Sequence, residues 1–381
     1  MRQSLAYKNI TKKCFGIKIK IKAVYAMHLI DALGFSLIGI FIPVFILSQG
    51  YEFQDIIYFY IVHNIFLLAT VVIAIIAGKR IGLQLLLVAR LPFLFLYFLA
   101  LLSWESLQFS YFLIAILSGI QAALYWMPFN IIFTRESKPK DMGKFVSRLI
   151  AYPQIVGIVG PLIGAVLIKF FGFRFLFVFA FLIIIFSVLP IFQIDIKKVK
   201  YDLNFKKGLK LFRKYKKYMI AELFDNFGGE TEGIIWPVFV FLTLGSIMSI
   251  GFIGALVSVG SIIFTLLVGK WIDKGDYKFY MKIGALSLLA VWLVRFIADN
   301  SLAYYLTTVV SGFCLSLLVV PYVAKMTKIA KKEVVDEFII FREFFFFLGR
   351  MILFMTALVL LGNIKYLFPL AGLAYLYFLF L

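Results

Sequence analysis

The chain has 381 residues, 63% of them hydrophobic, 18% aromatic and 15% charged, with a mean hydropathy of +1.01. A soluble globular protein of this length does not carry such a composition. Its formal net charge of +20 raises nucleic acid as a partner, but the placement of the charges argues otherwise, and two distant cysteines, Cys14 and Cys314, suggest neither a disulfide framework nor a metal site.

Apolar runs of about 20 residues, the length that crosses a ~30 Å hydrocarbon layer, recur along the chain. A basic N-terminal segment, 1–22, precedes a first apolar run too long for a signal-peptide core and lacking a small-residue cleavage site. Six spans are predicted at 23–48, 55–77, 83–103, 107–134, 143–169 and 173–194, forming a first bundle over 23–194. A basic connection follows at 195–217, with Leu209 and Phe212 at helical spacing among lysines, as in an amphipathic helix lying on a membrane surface. Six more spans are predicted at 218–244, 249–271, 279–298, 301–325, 336–361 and 365–381, forming a second bundle over 218–381. The fold class is therefore an all-α integral membrane protein, with twelve transmembrane helices in two six-helix bundles.

Lys and Arg occupy alternate loops. They fill the N-terminus, Lys79–Arg80, Arg135 to Lys144, the 195–217 connection, Lys270 to Lys282, and Lys325 to Lys332. The opposite loops hold Glu52, Asp55, Glu105 and Asp299, with Lys169, Arg174 and Lys365 as exceptions. This positive-inside pattern places both termini in the cytoplasm and assigns the surplus charge to the membrane surface.

The segment from Glu222 to Pro237 carries Glu222, Asp225, Glu230 and Glu232 inside an apolar run. On an ideal helix 222, 225, 229, 232 and 236 share a face, with 226, 230 and 233 beside them. An ionised group at mid-membrane costs roughly 2.5–3.5 kcal/mol on insertion scales, so this stripe belongs against protein or a watery cavity. About 194 positions earlier the pattern repeats: Leu29, Asp31, Gly34, Gly39 and Pro43-Val44-Phe45 match Leu223, Asp225, Gly228, Gly233 and Pro237-Val238-Phe239. The halves thus read as an internal duplication.

Two local motifs complete the pattern. Gly269-Lys270-Trp271-Ile272-Asp273-Lys274-Gly275-Asp276 follows the eighth span, and Gly157-Ile158-Val159-Gly160-Pro161-Leu162-Ile163-Gly164-Ala165 lies in the fifth. With two six-span halves and a basic central loop, these resemble the signature loop and the Gly-Pro-x-x-Gly span of the major facilitator superfamily of secondary transporters. The first-half copy, Gly78-Lys79-Arg80-Ile81-Gly82, lacks the acidic residue, and Asp276 stands where a second glycine is usual. The resemblance implies that span one packs near span five and span seven near span eleven. Asp31–Arg148 and Asp225–Arg342 are then expected as two symmetry-related gating or structural pairs. Asp273 is expected to accept hydrogen bonds from a helix N-terminus at an inner gate.

The unrepeated charges differ from these pairs. Glu230, Glu232, Arg350, His63 and Asn64 all fall near mid-depth and match uncharged positions in the other half. A midplane cluster of His63, Glu230, Glu232 and Arg350 is expected, with one Glu serving as a proton carrier. Gln121, Tyr125 and Asn130 in span four, and Tyr322 in span ten, are further candidate substrate contacts. No catalytic motif is present, so no enzyme is expected. The expectation is a transporter of a small molecule in the plasma membrane, monomeric, without cofactor or nucleic acid, with H⁺ as the coupling ion. An uncoupled facilitator and a lipid or lysolipid flippase remain as alternatives. Direction stays open: the Gly-Pro pattern points to export and the missing span-four arginine points away from it.

Overall fold

A helix satisfies its own backbone, which is what an apolar chain needs in lipid. The regular elements of the computed structural model are all helical among its described residues, 22–104, 110–137, 141–193, 205–273 and 276–381. The basic residues before Lys22, together with Glu105, Lys138, Lys140, Lys274, Gly275 and the stretch 195–204, lie outside the described residues.

Helix α1 is Lys22–Ser48. It tightens into a 3-10 turn at Gly39–Phe41, and Pro43 sits in the first turn of the α-helix that resumes. Helix α2, Phe53–Ile81, starts on a capping box in which Glu52 and Asp55 each accept from the other's backbone. Gly82, at φ 89, turns the chain into α3, Leu83–Leu102. Ser110 caps α4, Tyr111–Glu136. The helix assigned to Met142–Ile185 is broken at Gly172 (φ 78) into two arms, 142–171 (α5) and 173–185 (α6).

Helix α7 is assembled from Phe205–Glu230, a π-helical turn at Thr231–Ile235, and Trp236–Leu244. It starts inside the stretch read from sequence as the 195–217 connection, and a kink at Tyr215 (φ −121) separates its amphipathic arm from the remainder. Then come α8, Ile247–Ile272; α9, Tyr277–Ile297, capped by Asp276; α10, Ser301–Ala330, capped by Asn300; α11, Val335–Val359; and α12, Ile364–Phe380. Among the described residues, eight stretches are long and apolar enough to cross a membrane, with α5 and α6 counted as one. The chain is a multi-pass membrane protein. Helices α7 and α11 fall outside those eight because they carry charges, and α12 because it is short.

The two halves repeat the same pairings. Helix α2 packs on α4 and α8 on α10; α3 packs on α4 and α9 on α10. Close approach depends on glycine. A Cβ on Gly164 would lie 2.4 Å from the Leu37 carbonyl oxygen, which seats α5 on α1. A Cβ on Gly349 would lie 2.2 Å from the Leu223 carbonyl oxygen, which seats α11 on α7. Between the halves, α5 packs along α8 and α2 along α11. Large apolar side chains such as Ile73, Phe170, Ile263 and Val359 are left exposed on the outside, as a lipid-facing surface requires.

Candidate functional site

A cavity of about 770 Å³ lies between the halves, lined from α1, α2, α3, α4 and α5 on one side and α7, α10 and α11 on the other. Its wall carries five carboxylates (Asp31, Glu222, Asp225, Glu230, Glu343) and three arginines (Arg90, Arg342, Arg350). His28 and His63 also face it.

On the N-terminal wall the organising residue is Arg90 of α3. Its Nη1 donates to Asp31 at 2.5 Å and its Nε to Gln121 at 2.9 Å. Its guanidinium also lies 4.5 Å from the centroid of the Tyr125 ring. One planar cation thereby ties α1, α3 and α4 together, a geometry a lysine does not reproduce. The Tyr125 hydroxyl is 2.8 Å from His28 Nδ1, and His28 stacks on Phe129 at 4.6 Å. Arg90 was absent from the residues singled out by sequence. Its signal was nonetheless present, because an arginine in mid-run is a functional candidate by default.

This arrangement corrects the expected Asp31–Arg148 pair. Arg148 is exposed, and Asp31 is committed to Arg90. At about 100° per residue, Arg148 sits roughly 120–160° around α5 from Gly160 and Gly164, the face that meets α1. Arg342, in contrast, is seven residues from Gly349 and so lies on the α11 face that meets α7. Its Nε is 3.7 Å from Glu222 Oε1, and it is the charge that bears most on Asp225. The duplicated positions have diverged in which helix face carries the arginine.

The C-terminal wall holds a second ion pair, Arg350 Nε to Glu230 Oε1 at 2.7 Å. Arg350 Nη1 also reaches Asn64 Oδ1 of α2 at 3.4 Å, a polar contact across the two halves. His63 lines the same cavity, 3.0 Å from Ser118 Oγ, and Asn130 of α4 lies beside Glu343 of α11. Glu343 was another residue not singled out from sequence.

Glu232 does not join this group. Arg295 of α9 holds it by two hydrogen bonds, at 2.6 and 2.9 Å, and Ser311 of α10 donates to it at 2.8 Å. Arg295 is fully buried, and its guanidinium lies 4.1 Å and 4.5 Å from the ring centroids of Trp236 and Trp292. Two residues apart on a helix point to nearly opposite sides, so Glu230 and Glu232 cannot share a site. The π-helical turn that begins at Thr231 also rotates everything after it away from the ideal stripe. Tyr322 is likewise outside the cavity wall: its hydroxyl donates to the Tyr218 carbonyl at 2.8 Å.

Contacts between the halves lie at both ends of the cavity. At the basic end, Arg135 of α4 grips Asp336 of α11 at 2.5 and 2.6 Å. Lys331 donates to the carbonyls of Arg135 and Ser137. Asp273, just past the end of α8, accepts from the N–H of Gly143 at 2.8 Å and of Lys144 at 3.1 Å, so its carboxylate meets the positive end of α5. Towards the other end, Tyr60 of α2 stacks on Phe354 of α11 at 5.5 Å, and Gly251 of α8 sits against Pro161 and Ala165 of α5.

No protein-family model matches the chain. Over 355 residues it is 24% identical to a Bacillus subtilis (strain 168) protein described as uncharacterized protein YqgE, covering 88% of this chain and 81% of that one. Among solved structures it resembles the human organic anion transporter MFSD10 (TETRAN), with a TM-score of 0.72, 14% identity, and coverage of 96% of this chain and 99% of that one. It also resembles the major facilitator superfamily transporter FucP in its outward conformation, with a TM-score of 0.69, 15% identity, and coverage of 96% and 98%. A second FucP structure, described as the E. coli fucose:proton symporter, matches with a TM-score of 0.69 at 14% identity. The chain has the major facilitator superfamily transporter fold.

Proposed function

We propose, with the major facilitator fold as premise, that this chain is a proton-coupled secondary transporter. It moves a small molecule across the cell membrane by alternating access, as a monomer with both termini in the cytoplasm. The observation that carries this reading is the cavity itself. It sits between the two halves, is lined from both, and is walled by ionisable groups near the middle of the helices. Substrate and coupling-ion sites of secondary transporters lie at such repeat interfaces.

The contacts at its two ends support the mechanism. Those at the basic end are a few charge-assisted hydrogen bonds and one close glycine contact, Gly143 on Gly269. Bonds of this kind contribute about 1.5–3 kcal/mol each, enough to hold a gate and few enough to release it. Glu230 and Arg350 supply charge whose balance a proton or a ligand can alter, and Arg350 touches Asn64 of the other half. A change of charge on Glu230 is therefore felt directly at the α2–α11 seam.

The neighbours' substrates do not transfer at 14–15% identity. The test is reconstitution in vesicles loaded with a pH-sensitive dye, against a panel of anionic, neutral and cationic solutes. Solute-dependent proton movement supports the proposal. Solute flux without proton movement replaces it with the uncoupled facilitator, and absence of flux for every solute class refutes transport.

A further inference from the structure

The charges along the cavity do not cancel. Asp31 takes Arg90 and Glu230 takes Arg350. Arg342 is then left with three carboxylates: Glu222 and Asp225 of α7, and Glu343 beside it on α11. Its contact with Glu222, at 3.7 Å, is an ion pair too long to be a hydrogen bond. Glu222 Oε1, Glu343 Oε1 and Arg342 Nε are buried without a hydrogen-bond partner. Both glutamates line the cavity, at 2% and 5% exposure.

Among the described residues that line the cavity, no arginine or lysine besides Arg342 is left unpaired for these three carboxylates. From α10 comes Tyr322, whose hydroxyl lies near Glu222 and is spent on the Tyr218 carbonyl. Asn130 of α4 stands by Glu343, Tyr375 of α12 stands by Asp225, and Arg350, the next arginine on α11, is ion-paired with Glu230. Three carboxylates around one guanidinium cannot all stay ionised in a buried site. The surplus must take up protons or meet a cation brought by a ligand. Among the described residues no group of three or more His, Cys, Asp or Glu is placed to hold a metal ion. An organic cation suits the site better, because the same cavity is also lined by the aromatic side chains Phe35, Trp126 and Phe346. Aromatic faces attract cations, and their area takes up an apolar body.

We propose that the Glu222–Asp225–Glu343 cluster around Arg342 attracts a lipophilic organic cation in competition with protons, while aromatic side chains of the cavity wall take up its apolar surface. This deepens the transport reading and rests on it for taking the cavity as the substrate site. Binding one cation displaces protons from the cluster to solvent, so the cation and the proton exchange across the same group.

The experiment compares tetraphenylphosphonium with tetraphenylborate, an anion of the same shape, binding to the purified full chain in detergent. Titration calorimetry is corrected for partition into empty micelles. Phosphonium is expected to bind at least about tenfold more tightly, with its Kd falling up to about tenfold per pH unit for each proton displaced. Glu222→Gln and Glu343→Gln are each expected to weaken phosphonium binding about 10–100-fold and to flatten the pH slope. Equal binding of the borate, pH-independent binding, or no phosphonium binding overturns the inference using the wild-type chain alone. Vesicle flux of another solute by protein that ignores phosphonium overturns the cation site and leaves transport standing. Phosphonium binding without flux of any solute supports the site and refutes transport.

Discussion

Glu232 and Arg295 form a pair that holds the fold. Their pair is closed by two hydrogen bonds at 2.6 and 2.9 Å, a third from Ser311, and two indole faces on the guanidinium. Glu232→Gln removes the charge and keeps the shape, leaving a fully buried guanidinium uncompensated. Breaking such a pair costs about 3–5 kcal/mol. With an unfolding entropy of about 2.1 cal/mol/K per residue over 381 residues, this lowers Tm by roughly 4–6 °C. Arg295→Met should do the same. The double substitution Glu232→Met/Arg295→Met should recover much of the loss, because a complete buried pair exchanged for apolar side chains is often near neutral. Thermal unfolding followed by tryptophan fluorescence reads this directly, since Trp236 and Trp292 flank Arg295. The pH dependence of transport should be that of the wild type in Glu232→Gln. An unchanged Tm combined with lost pH dependence in that variant would refute the structural assignment and return Glu232 to the coupling site.

Three further outcomes follow from the geometry. Asp336→Asn weakens the clamp from Arg135 by about 1.5–3 kcal/mol, shifting the open-to-closed ratio of the basic end about 10–150-fold. A Val323→Cys probe in the cavity wall, with Cys14 and Cys314 replaced, should then react faster with an impermeant maleimide from that side, and an unchanged rate would count against the gate. Gly143→Val should raise the same rate, because its Cβ would fall 2.4 Å from the Gly269 carbonyl oxygen and force the ends of α5 and α8 apart. Overpacking of this kind costs about 1–3 kcal/mol, so unaltered labelling would show that the contact is not part of closure. Glu230→Gln should change stability little, by about 1 kcal/mol or less, because the Glu230 and Arg350 side chains are each 23% exposed. The same variant should alter ligand affinity, and an intact ligand titration curve would exclude Glu230 from the site.

Much of the architecture could be read before any coordinates. Apolar run length, the alternation of basic loops and the matched Leu29/Leu223, Asp31/Asp225 and Pro43/Pro237 series each follow from a rule that acts along the chain. Residue count from the helix ends also brought Glu230, Arg350, His63 and Asn64 to one depth; Glu230, Arg350 and His63 line one cavity, and Asn64 is reached by Arg350 Nη1. Depth is a one-dimensional quantity, fixed by a rise of about 1.5 Å per residue.

What sequence could not supply was azimuth and crossing. Asp31 had an arginine at suitable depth on α5, yet its partner is on α3, because Arg148 points away from the face that Gly160 and Gly164 press on α1. Glu230 and Glu232 share a depth and lie on opposite sides of a helix that contains a π-helical turn. The surplus of charge at Glu222, Asp225 and Glu343 is visible only once α7 and α11 are packed and each arginine has been given its partner. A chain in lipid is thus told by its own sequence where to cross and which end faces the basic side. Which carboxylate ends up paired with which arginine depends on how helix faces meet in three dimensions.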